Sequence, residues 1–285
     1  MTTKEKNRFD YLDVLRGIAV LAVCIQHIFG YIYDAYSTNH PLHSYLKFIV
    51  AESVDWGRFG VVLFFLVSGF IIPNSLKPGS SLRKFFVSRI FRLYPAYWAI
   101  LVLIFISAPY LSDLHSTYSY TQFFANSTMV PKLFGSNEMS GVFWTLFIEI
   151  LFYMCCAVLF HFSWLDKTKV IGFIALGLNL ITPTAIILNK YYQLGIPVQF
   201  VLYHLSFLFA GNLLRLTFVK KDKVAMYLST IFIMLTMLTV PITTGMLFIV
   251  QEASEKGFVM FRPESVVYAY FMAITLFIYA IYYKS

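Results

Sequence analysis

Arg16 and His27 are the residues whose types and spacing most directly suggest chemistry, because both lie inside the first apolar segment of this sequence. They are eleven residues apart, and at about 100° per residue a helix completes close to three turns over that distance. Both side chains therefore face one side of a helix, roughly 16 Å apart along its axis. Ionisable groups in a membrane-length helix usually face a polar interior, so the pair predicts a buried polar track. The alternative is that Arg16 extends to the lipid headgroups and His27 is a packing residue.

Glu149 is the one carboxylate deep in apolar sequence, within the stretch from Phe143 to Tyr153. Its predicted span places it about seven residues from the outer end, roughly 10 Å deep, and His27 lies at a similar depth of roughly 9 Å. We therefore expect Glu149 to lie near His27, where the two groups would pair. The alternative is a protonated structural carboxyl that hydrogen-bonds to a neighbouring helix.

A dense basic cluster precedes the third apolar run, with four cations between Arg83 and Arg92. Arg89 and Arg92 are three residues apart and are expected to share a helix face. Forked guanidinium groups suit bidentate binding of phosphate. The cluster therefore predicts a phosphate site, or alternatively an anchor that holds the inner end of a helix in place.

The amino-acid composition indicates which kind of secondary structure must position these residues. Of the 285 residues, 59% are hydrophobic and 13% are charged, whereas a soluble domain has about 25% charged residues. Long apolar runs span membranes as helices, so we predict an all-α, polytopic transmembrane helix bundle that forms one membrane domain over residues 1–285. The eight predicted spans are 14–33, 59–76, 93–110, 142–162, 170–188, 197–217, 224–249 and 264–283.

The distribution of Lys and Arg predicts the orientation of these spans. With a cytoplasmic N-terminus, sixteen of the twenty-two basic residues fall on the inner side, in agreement with the positive-inside rule. They lie at helix ends, which indicates membrane lipids as partners and no nucleic acid. The sequence therefore predicts a multi-pass protein integral to the cell membrane, and the bacterial inner membrane fits this arrangement.

Smaller features of the sequence have structural interpretations. Ser68 and Gly69 form a small-residue pair that favours close helix packing. His204, within the sixth span, is interpreted as a hydrogen-bonded packing residue. No His, Cys, Asp and Glu residues have metal-ligand spacing, so no metal site is predicted.

Three separate blocks of the sequence resemble the acyltransferase-3 family of membrane proteins, which O-acylate cell-surface glycans and other exported molecules. The first block runs from Leu12 to Ala19 and continues to His27, in the family's Arg-x10-His spacing. The second block comprises two stretches, Gly60 to Phe70 and Phe86 to Pro95. The third block, from Phe143 to Tyr153, resembles the family's Trp-Ser-Leu-x-x-Glu-x-x-Phe-Tyr stretch, with Thr145 in place of Ser.

Family members usually have about ten spans, two more than this sequence shows. The resemblance therefore implies one of two explanations. Two short spans are hidden within 40–54 or 118–134, or the last family helices are missing from this sequence.

The resemblance implies an acyltransferase that moves an acyl group, usually acetyl, from acyl-CoA to a hydroxyl of a glycan or lipid-linked acceptor. Acyl-CoA would be a substrate, with no permanently bound cofactor. A histidine titrates near neutral pH, so His27 is expected to act as general base on the acceptor hydroxyl. Glu149 is expected to orient His27, as carboxylates do in hydrolytic triads.

Cationic residues are expected to bind the donor, because CoA is a polyanion with a long pantetheine arm. We expect Arg89, Arg92 and Arg16 to hold its phosphates, and Asp13 to fix Arg16 from three residues away. Trp144 is expected to orient the substrate.

A transporter is the competing functional class. A charged stripe that meets a carboxylate within the membrane is also typical of proton-coupled carriers, and a translocator of acyl groups would share these features. Transporters often have proline- or glycine-broken helices at matching positions of two repeats. Pro183, Pro197 and Pro241 have no evident symmetric partners, which counts against this alternative.

Overall fold

The computed structural model describes residues 10–35, 40–110, 118–193, 200–252 and 262–284. Within these ranges the chain forms α-helices, short 3-10 helices and one π-helix, and no strand, which confirms the all-α prediction. The α-helices are α1 (Asp10–Ala35), α2 (His43–Lys47), α3 (Trp56–Ile71), α4 (Leu82–Ser107), α5 (Tyr120–Ser127), α6 (Trp144–His161), α7 (Thr168–Tyr192), α8 (Phe200–Phe218), α9 (Lys223–Glu252) and α10 (Pro263–Lys284).

Eight helices of the described residues are long and apolar enough to cross a membrane, and they coincide with the eight predicted spans. Two of them begin well before the predicted positions: the second candidate span runs from His43 to Ser75 rather than from 59, and α4 begins at Leu82 rather than at 93. The basic cluster therefore lies within the first turns of this helix. Segment 40–54 holds α2 and the π-helix Phe48–Ser53, and segment 118–134 holds α5 and the 3-10 helix Pro131–Phe134. A spanning helix needs about 20 residues, so neither segment hides an additional span.

The chain divides into two compact units. The first unit comprises Met1–Ile72 and Ser163–Ser285, and the second comprises Pro73–Phe162. In the first unit α3 packs against α1, α8 and α10, while α7 and α9 pack against α8. The second unit contains α4, α5 and α6.

Glycines allow α3 to pack directly on the backbones of its neighbours. A Cβ atom at Gly69 would lie 1.9 Å from the carbonyl oxygen of Leu208, and one at Gly211 would lie 2.3 Å from that of Leu66. At Gly60, a Cβ would lie 2.4 Å from the carbonyl oxygen of Ala19. Small residues at such contacts let helices approach closely in a membrane. The packing role predicted for Gly69 is confirmed.

Replacing Gly69 with Ala should therefore destabilise the first unit. The added methyl group meets rigid backbone, and overpacking of this kind typically costs about 1–3 kcal/mol. Gly177→Ala is the matched control, since no atom lies within 4 Å of the added Cβ in α7 and Ala favours a helix. Thermal unfolding of purified protein should show a lower midpoint for Gly69→Ala and an unchanged or higher one for Gly177→Ala. Equal midpoints for the two variants would contradict the packing argument.

A buried chain of hydrogen bonds connects α7, α8 and α9. The Thr239 hydroxyl donates to Asn179 Oδ1 (2.9 Å), so the Tyr203 hydroxyl must donate to Thr239 Oγ1 (3.1 Å). Asn179 Nδ2 donates to Thr236 Oγ1 (3.2 Å), and the Thr236 hydroxyl donates to the carbonyl oxygen of Phe232 (2.8 Å). Each bond gives a buried polar group the partner that it needs in an apolar interior, so the chain joins three helices.

His204 lies in the same interior and is also satisfied by hydrogen bonds. Its Nδ1 is 2.8 Å from the carbonyl oxygen of Phe200, which can only accept, so Nδ1 carries the proton. The Tyr270 hydroxyl then donates to Nε2 at 3.1 Å. The buried imidazole therefore links α8 to α10, and the interpretation of His204 as a packing residue is confirmed.

The second unit has an aromatic core around α4 and the segment that precedes α6. Its buried members are Tyr97, Leu101, Met129, Met139 and Phe143. Asn126 fixes the polar connection over this core. Its Nδ2 donates to the carbonyl oxygens of Gln122 (2.9 Å) and Asn137 (3.0 Å), and its Oδ1 accepts from the Met139 amide (3.0 Å). The start of α6, and therefore the position of Glu149, rests on this framework.

Candidate active site

The continuous helix α1 carries Arg16 and His27 on one side, as their spacing predicts. The face that packs in the first unit consists of Leu12, Leu15, Ala19, Ala22 and Gln26. Arg16 and His27 lie on the flank of this face. The Arg16 side chain is 15% exposed, whereas His27 is exposed. The first unit by itself therefore does not enclose the imidazole, and the buried polar track stays a prediction.

Asp13 contacts Arg16 in the expected manner. Asp13 Oδ1 is 3.4 Å from an Nη atom of Arg16, and the Asp13 side chain is 74% exposed. Exposed ion pairs add little stability. The contact therefore orients the guanidinium more than it stabilises the helix.

Arg89 is the most buried cation of the second unit's basic cluster, with 8% of its surface exposed. One Nη atom donates to the hydroxyl of Ser75 at 2.7 Å. The guanidinium carbon lies 5.3 Å from the ring centroid of Phe85 and 5.5 Å from that of Tyr153. Among the described residues, no hydrogen-bond partner for its Nε is present. Buried cations are normally fully hydrogen-bonded. The Nε atom of Arg89 is therefore an unused donor.

A cavity of about 350 Å³ opens beside Arg89 at the beginning of α4. Its lining consists of Ser75, Gly79, Ser80, Ser81, Lys84, Phe85, Ser88 and Arg89. The lining thus combines two cations with four serine hydroxyls and contains no carboxylate. Ser81 precedes α4, and its side chain does not cap the helix. The first backbone amide groups of α4 are therefore not occupied by the Ser81 hydroxyl. Cations, hydroxyls and a helix N-terminus together favour an anion.

Lys84 joins Arg89 in this cavity, and Arg92 does not. Arg92 is exposed on α4 and is not part of the lining. The cavity is therefore lined by Arg89 but not by Arg92, which we expected to share one site. Binding of phosphate by Arg92 stays a prediction. The sequence analysis missed Lys84. A signal for it exists, because 81, 84, 85, 88 and 89 follow the i, i+3, i+4, i+7, i+8 pattern of one helix face.

Glu149 is buried in α6 and accepts a hydrogen bond from Tyr153, one turn further along the same helix. The distance from the Tyr153 hydroxyl to Glu149 Oε1 is 2.5 Å, and both residues are 3% exposed. Tyr153 therefore connects the buried carboxylate to Arg89. His27 and Glu149 belong to different units, and their pairing stays a prediction. Trp144 is half-buried at the first position of α6, directly after Phe143 of the aromatic core.

Comparisons with known proteins show which family and which proteins this chain resembles. The family model of the acyltransferase-3 family, described as an acyltransferase domain, matches residues 9–285. Nodulation protein 10 of Rhizobium leguminosarum bv. viciae is 26% identical over 165 residues, which cover 52% of this chain and 43% of that protein. ORF330 of Acidianus two-tailed virus, provisionally named an acetyltransferase, is 27% identical over 166 residues, 58% of this chain and 45% of that protein.

Peptidoglycan O-acetyltransferase OatA of Listeria monocytogenes is 25% identical over 191 residues, 60% of this chain and 27% of that protein. The chain thus covers less than half the length of each of these three relatives. No solved structure matches the chain. The family model, by contrast, extends over almost the whole sequence and over the eight spanning helices. This chain is a multi-pass membrane protein that belongs to the acyltransferase-3 family.

Proposed function

We propose that this protein transfers an acyl group, acetyl in the simplest case, from acyl-CoA to a hydroxyl of a cell-surface glycan or lipid-linked acceptor. Membership of the acyltransferase-3 family supports acyl transfer, and similarity to a peptidoglycan O-acetyltransferase supports a glycan hydroxyl as acceptor. The single observation that carries the choice of donor is the cavity beside Arg89, because it offers cations and hydroxyls to a phosphorylated ligand.

In this proposal the phosphates of acyl-CoA bind where α4 begins. Arg89 is already largely desolvated, so its guanidinium gains a strong hydrogen bond to a phosphate oxygen without a large further cost of burying the cation. Lys84 supplies a second positive charge, and the hydroxyls of Ser75 and Ser88 complete the donors. Arg92 and Arg16 are proposed to bind further phosphate groups of the donor.

His27 is the proposed general base. Its imidazole removes the proton of the acceptor hydroxyl while the oxygen attacks the thioester carbonyl. The carbon–sulfur bond then breaks, and the CoA thiolate leaves and takes up the proton from the imidazolium. Glu149 is proposed to orient His27 and to stabilise its charged form. Asp13 holds Arg16, and Trp144 orients the acceptor or donor in the same proposal.

The proposed location is a bacterial inner membrane with the N-terminus in the cytoplasm. The excess of basic residues on one side of the eight spans supports this orientation. Acyl-CoA is made in the cytoplasm, and the proposed donor site lies within the basic cluster at the beginning of α4. The proposed orientation therefore places this site on the side of the membrane where acyl-CoA is available. Lipid headgroups are the proposed partners of the basic residues at other helix ends.

Purified protein in lipid vesicles tests the proposed function directly. Vesicles receive acetyl-CoA labelled in the acetyl group, together with peptidoglycan fragments, exopolysaccharide or a lipid-linked saccharide. We expect release of free CoA in proportion to an alkali-labile acetyl ester on one of these acceptors. Labelled acetyl that crosses the membrane without forming an ester would instead identify a translocator. Release of CoA at the same rate with and without acceptor would contradict transfer to a glycan hydroxyl.

A further inference from the structure

Tyr153 contacts both of the groups that the second unit contributes to the proposed reaction. Its hydroxyl donates to Glu149 Oε1, and its ring lies against the guanidinium of Arg89. The ring also meets Phe85 edge-to-face, with centroids 5.9 Å apart and an angle of 85° between the planes. Phe85 and Arg89 both line the cavity at the beginning of α4. One buried side chain of α6 therefore contacts the carboxylate through its polar end and the cavity wall through its apolar face.

The two contacts of Tyr153 are chemically independent. A phenol hydroxyl that donates to a carboxylate restricts the carboxylate's rotation, since one of its oxygens is tied to a fixed direction. An aromatic ring beside a guanidinium holds the cation by its quadrupole and by its shape. Phe85 provides the second ring, so the Arg89 guanidinium has an aromatic neighbour in both α4 and α6. Losing the hydroxyl should leave this aromatic arrangement in place.

We propose that Tyr153 is a positioning residue that aligns the buried carboxylate with the anion-binding cavity. The hydroxyl holds Glu149 in the orientation needed for the chemical step, and the ring holds Arg89 in the orientation needed for the donor. This inference rests on the proposed function, because it assigns Glu149 and Arg89 to one reaction. It adds a residue that neither touches the reacting atoms nor binds the donor.

Two substitutions separate the two contacts. Tyr153→Phe removes only the hydroxyl, so kcat should fall about tenfold, as expected for loss of one hydrogen bond to a charged group, while KM for acetyl-CoA stays unchanged. Tyr153→Leu also removes the ring, so KM for acetyl-CoA should rise several-fold in addition. Tyr203→Phe is the matched control, because it removes a buried hydroxyl that bonds to Thr239 in the first unit. It should lower the unfolding midpoint without changing kcat or KM.

A double-mutant cycle distinguishes positioning from a structural role. If Tyr153 acts through Glu149, the loss of its hydroxyl should have little further effect on kcat in a Glu149→Gln background. Additive losses, or a Tyr153→Phe enzyme with wild-type kcat, would overturn the inference and leave the proposed function intact. A wild-type protein that releases no CoA with any acceptor would overturn the proposed function, and the inference with it.

Discussion

The His27→Ala variant should lose acyl transfer by about 10²- to 10⁴-fold in kcat, the range that a positioned general base contributes. The imidazole is exposed on the flank of α1, so its removal opens no cavity in the packed face of the first unit. Protein level and unfolding midpoint should therefore stay at the wild-type values. Initial rates of CoA release, measured with saturating acetyl-CoA and acceptor, are the appropriate readout.

His161→Ala is the control for the loss of an imidazole, because His161 is an exposed histidine at the end of α6 and has no part in the proposed reaction. It should retain wild-type rates. A His27→Ala enzyme with rates within a few-fold of wild type would remove His27 from the mechanism. A variant that is inactive only because it unfolds would be detected by its lowered midpoint, which would contradict the exposed position of the ring.

The Arg89→Met variant should bind CoA about ten- to a hundredfold more weakly. Hydrogen bonds to charged groups contribute about 1.5–3 kcal/mol, and each 1.4 kcal/mol corresponds to about a tenfold change in affinity. The unliganded variant should be at least as stable as wild type. Among the described residues, no carboxylate forms an ion pair with this buried cation, and burying an uncompensated charge is unfavourable.

Thermal unfolding with and without CoA measures both effects in one experiment. Wild-type protein should gain a higher midpoint on addition of CoA, and Arg89→Met should show a higher or equal starting midpoint with little gain. Arg83→Met is the matched control, since Arg83 is an exposed cation of the same helix outside the cavity. Equal responses of the two variants to CoA would contradict the assignment of the cavity to the donor.

The number and approximate position of the spans could be predicted because lipid leaves the backbone few choices. A chain that crosses a membrane must satisfy its own hydrogen bonds, so apolar length identifies helices. Hydropathy measures the part of a helix that lies in lipid, and not the whole helix. For this reason the sequence places the third span at 93, whereas α4 begins at Leu82 and carries the basic cluster in its first turns.

The cavity could be predicted only in part, for a related reason. Arg89 is recognisable by its charge and motif, but the face that it shares with Lys84 depends on knowing where α4 begins. The hydrogen bond from Tyr153 to Glu149 follows a local i, i+4 spacing and was accessible from the sequence. The contact of Tyr153 with Arg89 joins two helices, and such contacts depend on packing that no local pattern encodes.

The buried chain from Tyr203 to Phe232 has a consequence for proton conduction through the first unit. In a proton wire, each group donates one proton to the next group and accepts one from the group before it. Here the amide of Asn179 stands between Thr239 and Thr236, and an amide does not hand on its hydrogens in this way. The chain ends on a carbonyl oxygen, which has no hydrogen to give. These polar groups therefore connect the helices without conducting protons, and a proton-coupled carrier would need another route.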